Sequence, residues 1–432
     1  MIDIKLIREN SDLVKENIKK KHQDEKLALV DKVKSLDEEW RKLKYGEDGL
    51  RSERNKISKE INQAKKNKKD AKDLIKKAKE IPRKIEKSQV KRKKLEKEIN
   101  SVLSKIPNII HKSVPFGKCD KDNKVIKKWG KIPKFNFPVK SHVELLENLN
   151  VVDFDTSAKV SGKGFYYLKG DLALLNMALI NFVIDFMKKK NYMYVEPPLL
   201  VKKEICEAAE DFEAFESKLY KIQDEDLYLI PSAEHSILGF LKGETIPEEK
   251  LPVKIFGYSM CFRKEIGSHG IHEKGLWRTH QFNKVEQFIF CKPENSWKYY
   301  EELRKNTEEI MKALNLPYRL FESCSGDLSD WKAKGEDVEV YRPTTKQYEE
   351  VMSLSNCTDC QARDLNIKGL TRKGERYVLH TLNNTALATS RIMVAIAENN
   401  QQKDGSIKIP KALWKYMGGK KVIKNEKEKT KK

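Results

Sequence analysis

The sequence predicts an α+β protein. A long antiparallel two-helix coiled coil near the N-terminus is expected to precede a body built on an antiparallel sheet with flanking helices. Apolar residues recur at alternating spacings of three and four across residues 27–105, which is the spacing of a coiled-coil seam. Short strand-like runs with a few helical stretches follow beyond residue 140, as expected for an α+β body. A Rossmann or P-loop glycine motif is absent from the sequence, so side chains would have to hold any nucleotide.

The coiled-coil prediction depends on two limbs of chain whose seam positions match each other. The seam positions of the first limb are Leu29, Val33, Leu36, Trp40, Leu43, Glu47, Leu50, Arg54, Ile57, Ile61 and Ala64. Those of the second limb are Ala71, Leu74, Ala78, Ile81, Ile85, Ser88, Arg92, Leu95, Ile99, Val102 and Ile106. When the chain folds back about Asn67, residues whose numbers sum to 135 face each other, such as Ile61 and Leu74. The match persists along both limbs and predicts an antiparallel pair roughly 50 Å long, at about 1.5 Å per residue.

Polar and helix-breaking residues add detail to this arm. Asp70 is expected to cap the second helix, with Asp73 at a favourable position in its first turn. Pro82 falls inside the second limb, where a proline costs about 3 kcal/mol and is expected to kink or break the helix. Four polar residues occupy seam positions and are expected to fix the register of the pair: Glu47, Arg54, Ser88 and Arg92.

The positive charge of the chain is concentrated in two segments. The formal net charge is +22, of which residues 51–100 contribute +12 and residues 418–432 contribute +5. A solvated basic surface accounts for part of any such run. A dense basic stripe also suits a polyanion, because each neutralised phosphate releases counterions. The distribution favours nucleic acid as a partner of the arm, and 418–432 is expected to be a disordered basic tail.

Composition also bears on the compartment. The longest apolar stretch, 172–187, is interrupted by Asn176, Asn181 and Asp185, so we expect no membrane span. The N-terminal residues MIDIKLIREN lack the apolar core of a secretion signal. Seven scattered cysteines, an odd number, fit a reducing compartment better than a disulfide framework. The sequence therefore predicts a cytoplasmic protein.

The remaining chain is expected to form a linker and a globular body. Prolines mark residues 107–140 as irregular chain between domains, namely Pro107, Pro115, Pro133 and Pro138. The predicted boundaries are an N-terminal domain at 1–110, a linker at 111–140 and a body at 141–417. Strands are expected at 227–230, 253–263, 282–291, 318–321, 338–341, 351–354 and 377–382, and helices at 172–190, 297–314 and 385–399.

One predicted hairpin carries a concentration of polar residues. Arg263 and Glu265 share one face of its first strand, because alternate residues of a strand point the same way. Phe282, Lys284 and Glu286 share a face of its second strand. This hairpin could present Arg263 to a phosphate, Glu265 to an amino group and Phe282 to a base. The alternative is a surface strand with salt bridges and a core phenylalanine, and the pattern alone does not decide between the two.

In the segments 192–198, 261–286, 381–385 and 388–391, the sequence resembles the motifs of seryl-tRNA synthetases, a family of class II aminoacyl-tRNA synthetases. Tyr192-Met193-Tyr194-Val195-Glu196-Pro197-Pro198 resembles motif 1, and CFRKEIGSHGIHEKGLWRTHQFNKVE at 261–286 resembles the motif 2 loop. Thr381-Leu382-Asn383-Asn384-Thr385, with Ala388-Thr389-Ser390-Arg391, resembles motif 3. Further matches are found at 230–234, 355–359, 409–410 and 413–414. The resemblance covers nearly the whole chain and is closest in character to archaeal and eukaryotic cytosolic members.

The resemblance implies roles for individual residues in an ATP site. Arg263 would hold the α-phosphate and Glu265 the adenine end, while Phe282 would stack on adenine. Arg278 and the backbone near Thr279 would close the loop. The class II catalytic domain implied here is built on an antiparallel sheet with flanking helices, as the strand pattern also predicts.

The remaining implied roles concern metal, phosphate and serine. Glu350 and Ser353 would bind ATP phosphates and Mg²⁺, and Arg391 would bind the γ-phosphate. The implied serine pocket consists of Ser232, Glu234, Arg263, Glu286, Asn383 and Thr385. No protein nucleophile is implied, so the catalytic residues Arg263 and Arg391 would act by positioning and charge stabilisation. The sequence departs from the family pattern at Ser232, where threonine is usual, and at 271–273, where an Arg-Asp pair is common.

The activity implied by the resemblance is that of a serine–tRNA ligase. Serine would react with ATP to give seryl-adenylate, and the seryl group would pass to the 3′ end of a tRNA(Ser) held by the arm. A homodimer formed through motif 1 is also implied, and the charging of tRNA(Sec) stays open. One alternative, an inactive RNA-binding paralogue, predicts the loss of Arg263, Glu265 or Arg391, which are all present. The other, an amino acid:carrier-protein ligase, would not need a long basic arm.

Overall fold

The computed structural model describes residues 1–266 and 274–425. The chain divides into two compact units, Met1–Pro107 and Asn108–Lys432. The first is helical, and the second contains the sheet.

The N-terminal unit is built from three helices: α1 (Ile4–Lys20), α2 (Leu27–Lys66) and α3 (Lys72–Leu103). α2 and α3 pack along each other as the predicted coiled coil. Towards the tip of the pair, Ile57, Ile81 and Ile85 are buried together. Ile61 and Leu74, which the sequence pairs, pack against this group. The 3,4 spacing of apolar residues therefore places one continuous stripe of each helix in the seam.

A buried ion pair lies in the seam nearer the base of the arm. The Glu47 side chain is fully buried, and Arg92 Nε lies 3.1 Å from its Oε1 atom. The Arg92 guanidinium also lies 5.4 Å from the centre of the Trp40 ring. A slipped register would leave Glu47 buried without this partner, so these contacts support the expected role of Glu47 and Arg92. Arg54 is exposed, so the same expectation is wrong for it, whereas Ser88 is half-buried and its register-fixing role stays a prediction.

Two details of the arm differ from the expectations. Helix α3 runs without interruption from Lys72 to Leu103 through Pro82, so the expected break does not occur. The neighbouring Ile81 is buried in the seam, and packing of this kind compensates for a missing backbone hydrogen bond. The Asp70 carboxylate accepts a hydrogen bond from the Lys72 backbone at 2.9 Å, but Ala71 occupies the N-cap position.

The helices of the second unit, within its described residues, are α4 (His142–Asn148), α5 (Phe154–Ser161), α6 (Gly170–Lys189), α7 (Lys203–Ala209), α8 (Phe212–Phe215), α9 (Ala233–Gly239), α10 (Ser296–Ala313), α11 (Cys360–Asp364) and α12 (Thr389–Asn399). Its strands are β1 (Lys124–Trp129), β2 (Val152–Asp153), β3 (Tyr167–Leu168), β4 (Met193–Val195), β5 (Leu200–Val201), β6 (Tyr228–Leu229), β7 (Thr245–Pro247), β8 (Val253–Phe262), β9 (Gln281–Cys291), β10 (Tyr318–Glu322), β11 (Lys334–Arg342), β12 (Gln347–Thr358), β13 (Lys368–Leu370), β14 (Arg376–Val378), β15 (His380–Ala388), β16 (Ile407–Lys408) and β17 (Val422–Ile423).

The main sheet of this unit has the order β1-β10-β11-β12-β15-β9-β8-β4 in the described residues. Its neighbours are antiparallel except β4 and β8, which are parallel. This confirms the predicted antiparallel body with flanking helices. In the central hairpin, Cys261 of β8 pairs with Phe282 of β9, and Gly257 pairs with Glu286.

Strand β9 shows how the sheet positions the polar face. Val285 and Ile289 pack into the larger of two hydrophobic clusters, whereas Phe288 and Phe290 pack into the other. Both faces of the strand are therefore covered, and the residues from Asn283 onwards are buried. Lys284 and Glu286 lie on the same face of β9 as Phe288, nearer the start of the strand. A rigid, buried strand therefore supports these predicted polar residues.

Three expectations about this unit need correction. Residues 111–140 are not irregular throughout, because Lys124–Trp129 forms β1 and pairs with β10 at the edge of the main sheet. The predicted helix at 385–399 begins only at Thr389, since 385–388 completes β15. The expected disordered tail is also ordered in part: Val422–Ile423 pairs with β16, and Ile423 is buried. Residues 426–432 lie outside the described residues.

Helix α6 is long and apolar enough to cross a membrane by length and composition, and it is the one such helix among the residues that the structure describes. Half of its apolar window is buried inside the protein. Leu172, Leu179 and Val183 pack into the larger hydrophobic cluster beneath the sheet. This packing is that of a core helix in the body.

Candidate active site

A cavity of about 280 Å³ opens on the polar face of the main sheet. It is lined by all the residues that the sequence assigns to a site: Ser232, Glu234, Arg263, Glu265, Arg278, Thr279, Phe282, Glu286, Glu350, Ser353, Asn383, Thr385 and Arg391. Residues separated by up to 159 positions in the sequence therefore meet in one place. The geometry of each group decides what the cavity can do.

Arg263 lies directly after the end of β8. Its backbone N–H donates to the His280 carbonyl at 2.9 Å, which extends the hairpin by one residue. Its Nε donates to the Pro231 carbonyl at 3.2 Å. The guanidinium lies 5.4 Å from the centre of the Phe282 ring. A cation and an aromatic face are thus held together at the cavity wall, as a nucleotide site requires.

Glu265 and Arg278 mark the two ends of the loop between β8 and β9. Glu265 has a φ of +52°, and the Arg278 guanidinium lies 3.4 Å from its carboxylate. Thr279 is buried beside them. The predicted departure from the family pattern at 271–273 lies outside the described residues.

An acidic pocket lies deeper in the cavity, on the β9 strand. Glu286 is almost completely buried. Its Oε2 atom lies 2.6 Å from Lys284 Nζ and accepts a hydrogen bond from the Ser232 hydroxyl at 3.3 Å. Burial raises the pKa of Glu286, with Glu234 adding to the increase, while the charge of Lys284 opposes it. A carboxylate held in this way is a hydrogen-bond acceptor for a small polar ligand.

Glu234 forms the second acidic group of this pocket, in the first turn of α9. Its Oε1 atom accepts hydrogen bonds from Asn383 Nδ2 at 2.9 Å and Gln361 Nε2 at 3.0 Å. Thr385 of β15 pairs with Glu286 of β9 where the register shifts. Such an irregularity re-aims side chains at the edge of a site. Two carboxylates, an amide and two hydroxyls therefore surround one small volume.

Arg391 reaches the cavity from the first turn of α12. Its Nη1 atom donates to the backbone carbonyl of Glu350 at 2.7 Å and lies 3.7 Å from the Glu350 carboxylate. The guanidinium lies 5.5 Å from the centre of the Trp277 ring, and that of Arg342 lies 4.4 Å from the same centre. Trp277 is thus in contact with two cations, one of which faces the cavity.

Ser353 and Glu350 supply oxygen atoms from β12. Lys332 Nζ donates to the Ser353 hydroxyl at 3.3 Å. Asp337 lies opposite Ser353 on β11. Burial and the nearby Glu350 carboxylate raise the pKa of Asp337 to about 7. Hard oxygen donors in a locally negative environment fit a Mg²⁺ ion that is bound mainly through substrate oxygens.

Sequence reasoning missed some residues that shape the cavity. The period-two pattern places Lys284 on the strand face of Glu286, but the sequence assigns it no role in the site. Trp277, Lys332 and Gln361 carry no comparable signal, because their contacts join distant segments of the chain. Trp277 and Arg342, for example, meet only after β11 has been placed beside the loop that precedes β9.

The antiparallel sheet and the composition of this cavity define a class II aminoacyl-tRNA synthetase core. The family "tRNA synthetase class II core domain (G, H, P, S and T)" matches residues 215–400. The "Seryl-tRNA synthetase N-terminal domain" matches residues 1–110. The chain is 44% identical to the serine–tRNA ligase of Pyrococcus horikoshii, over 99% of each chain. It is also 44% identical to that of Methanocella arvoryzae, over 97% of this chain and 99% of the relative.

Solved structures agree with these matches. The crystal structure of Pyrococcus horikoshii seryl-tRNA synthetase complexed with ATP is similar with a TM-score of 0.92 at 43% identity, covering 98% of this chain and 100% of the other. The cytoplasmic serine–tRNA ligase of Naegleria fowleri in complex with AMP has a TM-score of 0.87 at 33% identity, with 99% of each chain covered. The chain therefore belongs to the seryl-tRNA synthetase family.

Proposed function

We propose that this chain activates serine with ATP to form seryl-adenylate and transfers the seryl group to the 3′ end of tRNA(Ser). The observation that carries the proposal is the presence of Arg263 and Arg391 in one cavity with the Glu234 and Glu286 carboxylates. Two cations suit a triphosphate, and the carboxylates suit the ammonium and hydroxyl groups of an amino acid. Family membership supports the same reaction.

The chemistry needs no nucleophile from the protein. The serine carboxylate attacks the α-phosphate of ATP and pyrophosphate leaves. A terminal ribose hydroxyl of the tRNA then attacks the carbonyl carbon of seryl-adenylate, so that the seryl ester forms and AMP leaves. Arg263 stabilises the charge that develops on the α-phosphate, and Arg391 holds the γ-phosphate. Phe282 provides the face on which adenine stacks, with Glu265, Arg278 and the backbone near Thr279 around it. Catalysis consists of positioning and charge stabilisation.

The serine pocket selects its substrate by hydrogen bonding. Glu286 accepts a hydrogen bond from the serine hydroxyl, and Glu234 binds the ammonium group beside Ser232. Asn383 and Thr385 complete the wall of the pocket. Alanine would offer Glu286 no hydroxyl donor beyond its partners Lys284 and Ser232, and sites that read a hydroxyl in this way discriminate by about 10⁴–10⁵. Ser232 lacks the methyl group of the threonine that is usual in the family, so the pocket is slightly wider here.

Glu350 and Ser353 are the residues that would hold Mg²⁺ in this proposal. The bound ion supplies charge neutralisation for the phosphate oxygens. The protein's own contribution is to orient these two oxygen donors, and Lys332 fixes the Ser353 hydroxyl by its hydrogen bond at 3.3 Å.

The arm is proposed to bind tRNA(Ser). Its segment 51–100 has a net charge of +12, and nearly all of its lysine and arginine side chains are exposed or half-buried. Phosphate contacts from such a surface release counterions, so binding should weaken steeply with salt. The proposed domain limits are 1–110 for the tRNA-binding domain and 141–417 for the catalytic domain, and the proposed compartment is the cytoplasm.

A homodimer through motif 1 is part of the proposal. Leu174 and Met177 on α6 and Met193 on β4 are 55%, 48% and 46% exposed. β4 is also an edge strand of the main sheet. Exposed apolar side chains beside an open strand edge favour burial against a second copy. Sedimentation of the purified chain as a monomer at micromolar concentration would contradict this part.

A pyrophosphate-exchange panel tests the activity. Exchange should depend on serine and be at background with alanine, glycine or threonine. Replacement of Arg263 by alanine should abolish serine-dependent exchange, because the α-phosphate loses its cation. The matched control is Arg319→Ala, a partly exposed arginine on β10 outside the cavity lining, which should retain exchange. A near-normal rate in Arg263→Ala would refute the assignment.

Removal of the arm tests the role in tRNA binding separately. Deletion of residues 27–104 should reduce tRNA(Ser) affinity by orders of magnitude while serine-dependent exchange is retained, because the cavity is formed wholly by the second unit. Unchanged tRNA affinity in the deletion variant would exclude the arm as the binding surface.

A further inference from the structure

A buried lysine, Lys284, lies inside the acidic pocket, and the motif roles leave it without a function. It lies on β9 between Phe282 and Glu286, on the strand face that lines the cavity, and is only 8% exposed. Lysine is almost never buried to this degree unless its charge is paired. The partners of its ammonium group therefore indicate what it does.

Lys284 contacts two pocket residues at once. Its Nζ atom lies 2.6 Å from Glu286 Oε2 and donates to Ser232 Oγ at 3.0 Å. The Ser232 hydroxyl in turn donates to the same Glu286 oxygen at 3.3 Å. The three groups form a closed triangle. Lys284 Nζ and the Glu234 backbone N–H, at 3.2 Å, both donate hydrogen bonds to the Ser232 oxygen, so the hydroxyl donates its own hydrogen to Glu286.

The electrostatic setting makes the cation necessary. Glu286 is almost completely buried, and a second carboxylate, Glu234, lies in the same pocket. Both circumstances favour the protonated form of Glu286, and Lys284 counteracts them. A protonated Glu286 would carry a hydrogen-bond donor where the pocket needs an acceptor, so it would no longer distinguish a hydroxyl-bearing substrate clearly.

We propose that Lys284 is a positioning residue for serine selection, which keeps Glu286 an oriented carboxylate and fixes the Ser232 hydroxyl. The inference rests on the proposed activation of serine and concerns a residue to which that proposal gives no role. Lys284 acts through its two partners rather than by holding ATP, whose phosphates are assigned to Arg263 and Arg391. Loss of the lysine should therefore weaken the binding of serine and leave the binding of ATP largely intact.

The test is a double-mutant cycle in the full-length protein. Serine-dependent pyrophosphate exchange is measured at varied serine and at varied ATP in the wild type, Lys284→Met, Glu286→Gln and the double variant. Lys284→Met should raise the KM for serine by about 30-fold or more, as expected when one partner of a buried charge pair is removed. The KM for ATP should stay near the wild-type value, and the preference for serine over alanine should fall.

The double variant separates positioning from direct contact. If Lys284 acts through Glu286, the double variant should have the same serine KM as Glu286→Gln alone. A further large increase in the double variant would overturn the proposal, because Lys284 would then act independently of Glu286. An equal rise in the KM for serine and ATP in Lys284→Met would also overturn it, since a general distortion of the cavity would explain the loss.

Two controls keep the outcome interpretable. The first is Lys254→Met. Lys254 is another partly buried lysine, on the neighbouring strand β8; it pairs with Glu302 at 2.8 Å and does not line the cavity. This variant should have the serine KM of the wild type. If Lys284→Met does not fold, the comparison of Glu286→Gln with the double variant still decides the question. The amide oxygen introduced by Glu286→Gln still accepts a hydrogen bond from Lys284, and the double variant contains neither charge. Absence of serine-dependent exchange in the wild type itself would refute the proposed function first, and this inference with it.

Discussion

Replacing Glu398 by glutamine tests whether a buried ion cluster supports both the stability of the body and the placement of Arg391. Glu398 lies on α12 and its side chain is fully buried. Its carboxylate contacts Arg342 at 2.7 and 3.1 Å and His142 Nδ1 at 3.0 Å. Arg342 in turn lies against Trp277, which Arg391 also contacts. Glutamine keeps the shape of the side chain and removes its charge.

The size of the effect follows from the pKa of Glu398. Burial raises this pKa, but hydrogen bonds from His142 and Arg342 more than compensate and lower it to about 2. Relative to an ordinary glutamate, this corresponds to roughly 3 kcal/mol of folding free energy. Removal of one partner of a buried ion pair costs about 3–5 kcal/mol, which agrees. We therefore expect Glu398→Gln to lower the free energy of unfolding by about 3 kcal/mol at pH 7.

The stability difference between the wild type and Glu398→Gln should depend on pH in a direction that the pKa shift determines. Because the pKa of Glu398 is lower in the folded than in the unfolded state, its contribution is complete above the unfolded value, near 4.5. It is lost as the pH falls towards 2. The stability difference between wild type and Glu398→Gln should therefore narrow by about half between pH 7 and pH 3.

Urea unfolding followed by tryptophan fluorescence, at pH 7 and pH 3, measures this difference. Glu144→Gln is a suitable control, because Glu144 forms an exposed pair with Lys140 and should change stability by less than about 0.5 kcal/mol. The KM for ATP should rise in Glu398→Gln, since Arg342 would no longer be held against Trp277. A stability difference below about 1 kcal/mol at pH 7 would refute the argument, and so would a difference that does not change with pH.

Two further predictions concern the arm. Pro82→Ala should stabilise α3, by up to about 3 kcal/mol, because alanine restores the missing backbone hydrogen bond; thermal unfolding at 222 nm would detect it, and the exposed Lys84→Ala provides the control. Arg92→Leu should destabilise the arm by about 3–5 kcal/mol, because it leaves the buried Glu47 carboxylate unpaired. The double variant Glu47→Leu/Arg92→Leu should recover most of that stability, and no recovery would argue against an unpaired charge as the cause.

The arm could be predicted from sequence almost completely because its structure is local. The spacing of apolar residues fixes which side of each helix is buried, and the polar tip fixes where the chain turns back. Even the pairing between the two limbs could be predicted, because residues that face each other have numbers that sum to 135. The pattern alone does not predict that Glu47 is fully buried, since Arg54 and Ser88 occupy equivalent seam positions but are exposed and half-buried, respectively.

The fold class and the motifs of the body could be predicted from the sequence, but the edge strand β1 of its main sheet could not. β1 was missed because Lys124–Trp129 has mixed lysine and apolar residues with all but Trp129 exposed, and only its pairing with β10 makes it a strand. The site residues were identified through family motifs, and they do line one cavity. The contacts of Trp277 with Arg342 and Arg391 depend on long-range packing, which no local pattern encodes.

The arginines of the body differ in how their charge is balanced, and this difference agrees with their proposed roles. Arg342 is paired with the carboxylates of Glu398 and Glu349, at 2.7 and 2.9 Å, so its charge is neutralised within the protein. Arg263 and Arg391 are held chiefly by backbone carbonyls, at 3.2 and 2.7 Å, and by aromatic faces. Carbonyl oxygens orient a guanidinium without cancelling its charge. Arg391 also lies 3.7 Å from the Glu350 carboxylate, a longer contact than those of Arg342. The cavity thus keeps two oriented cations whose charge is compensated less closely than that of Arg342, an arrangement suited to stabilising charge on phosphate oxygens.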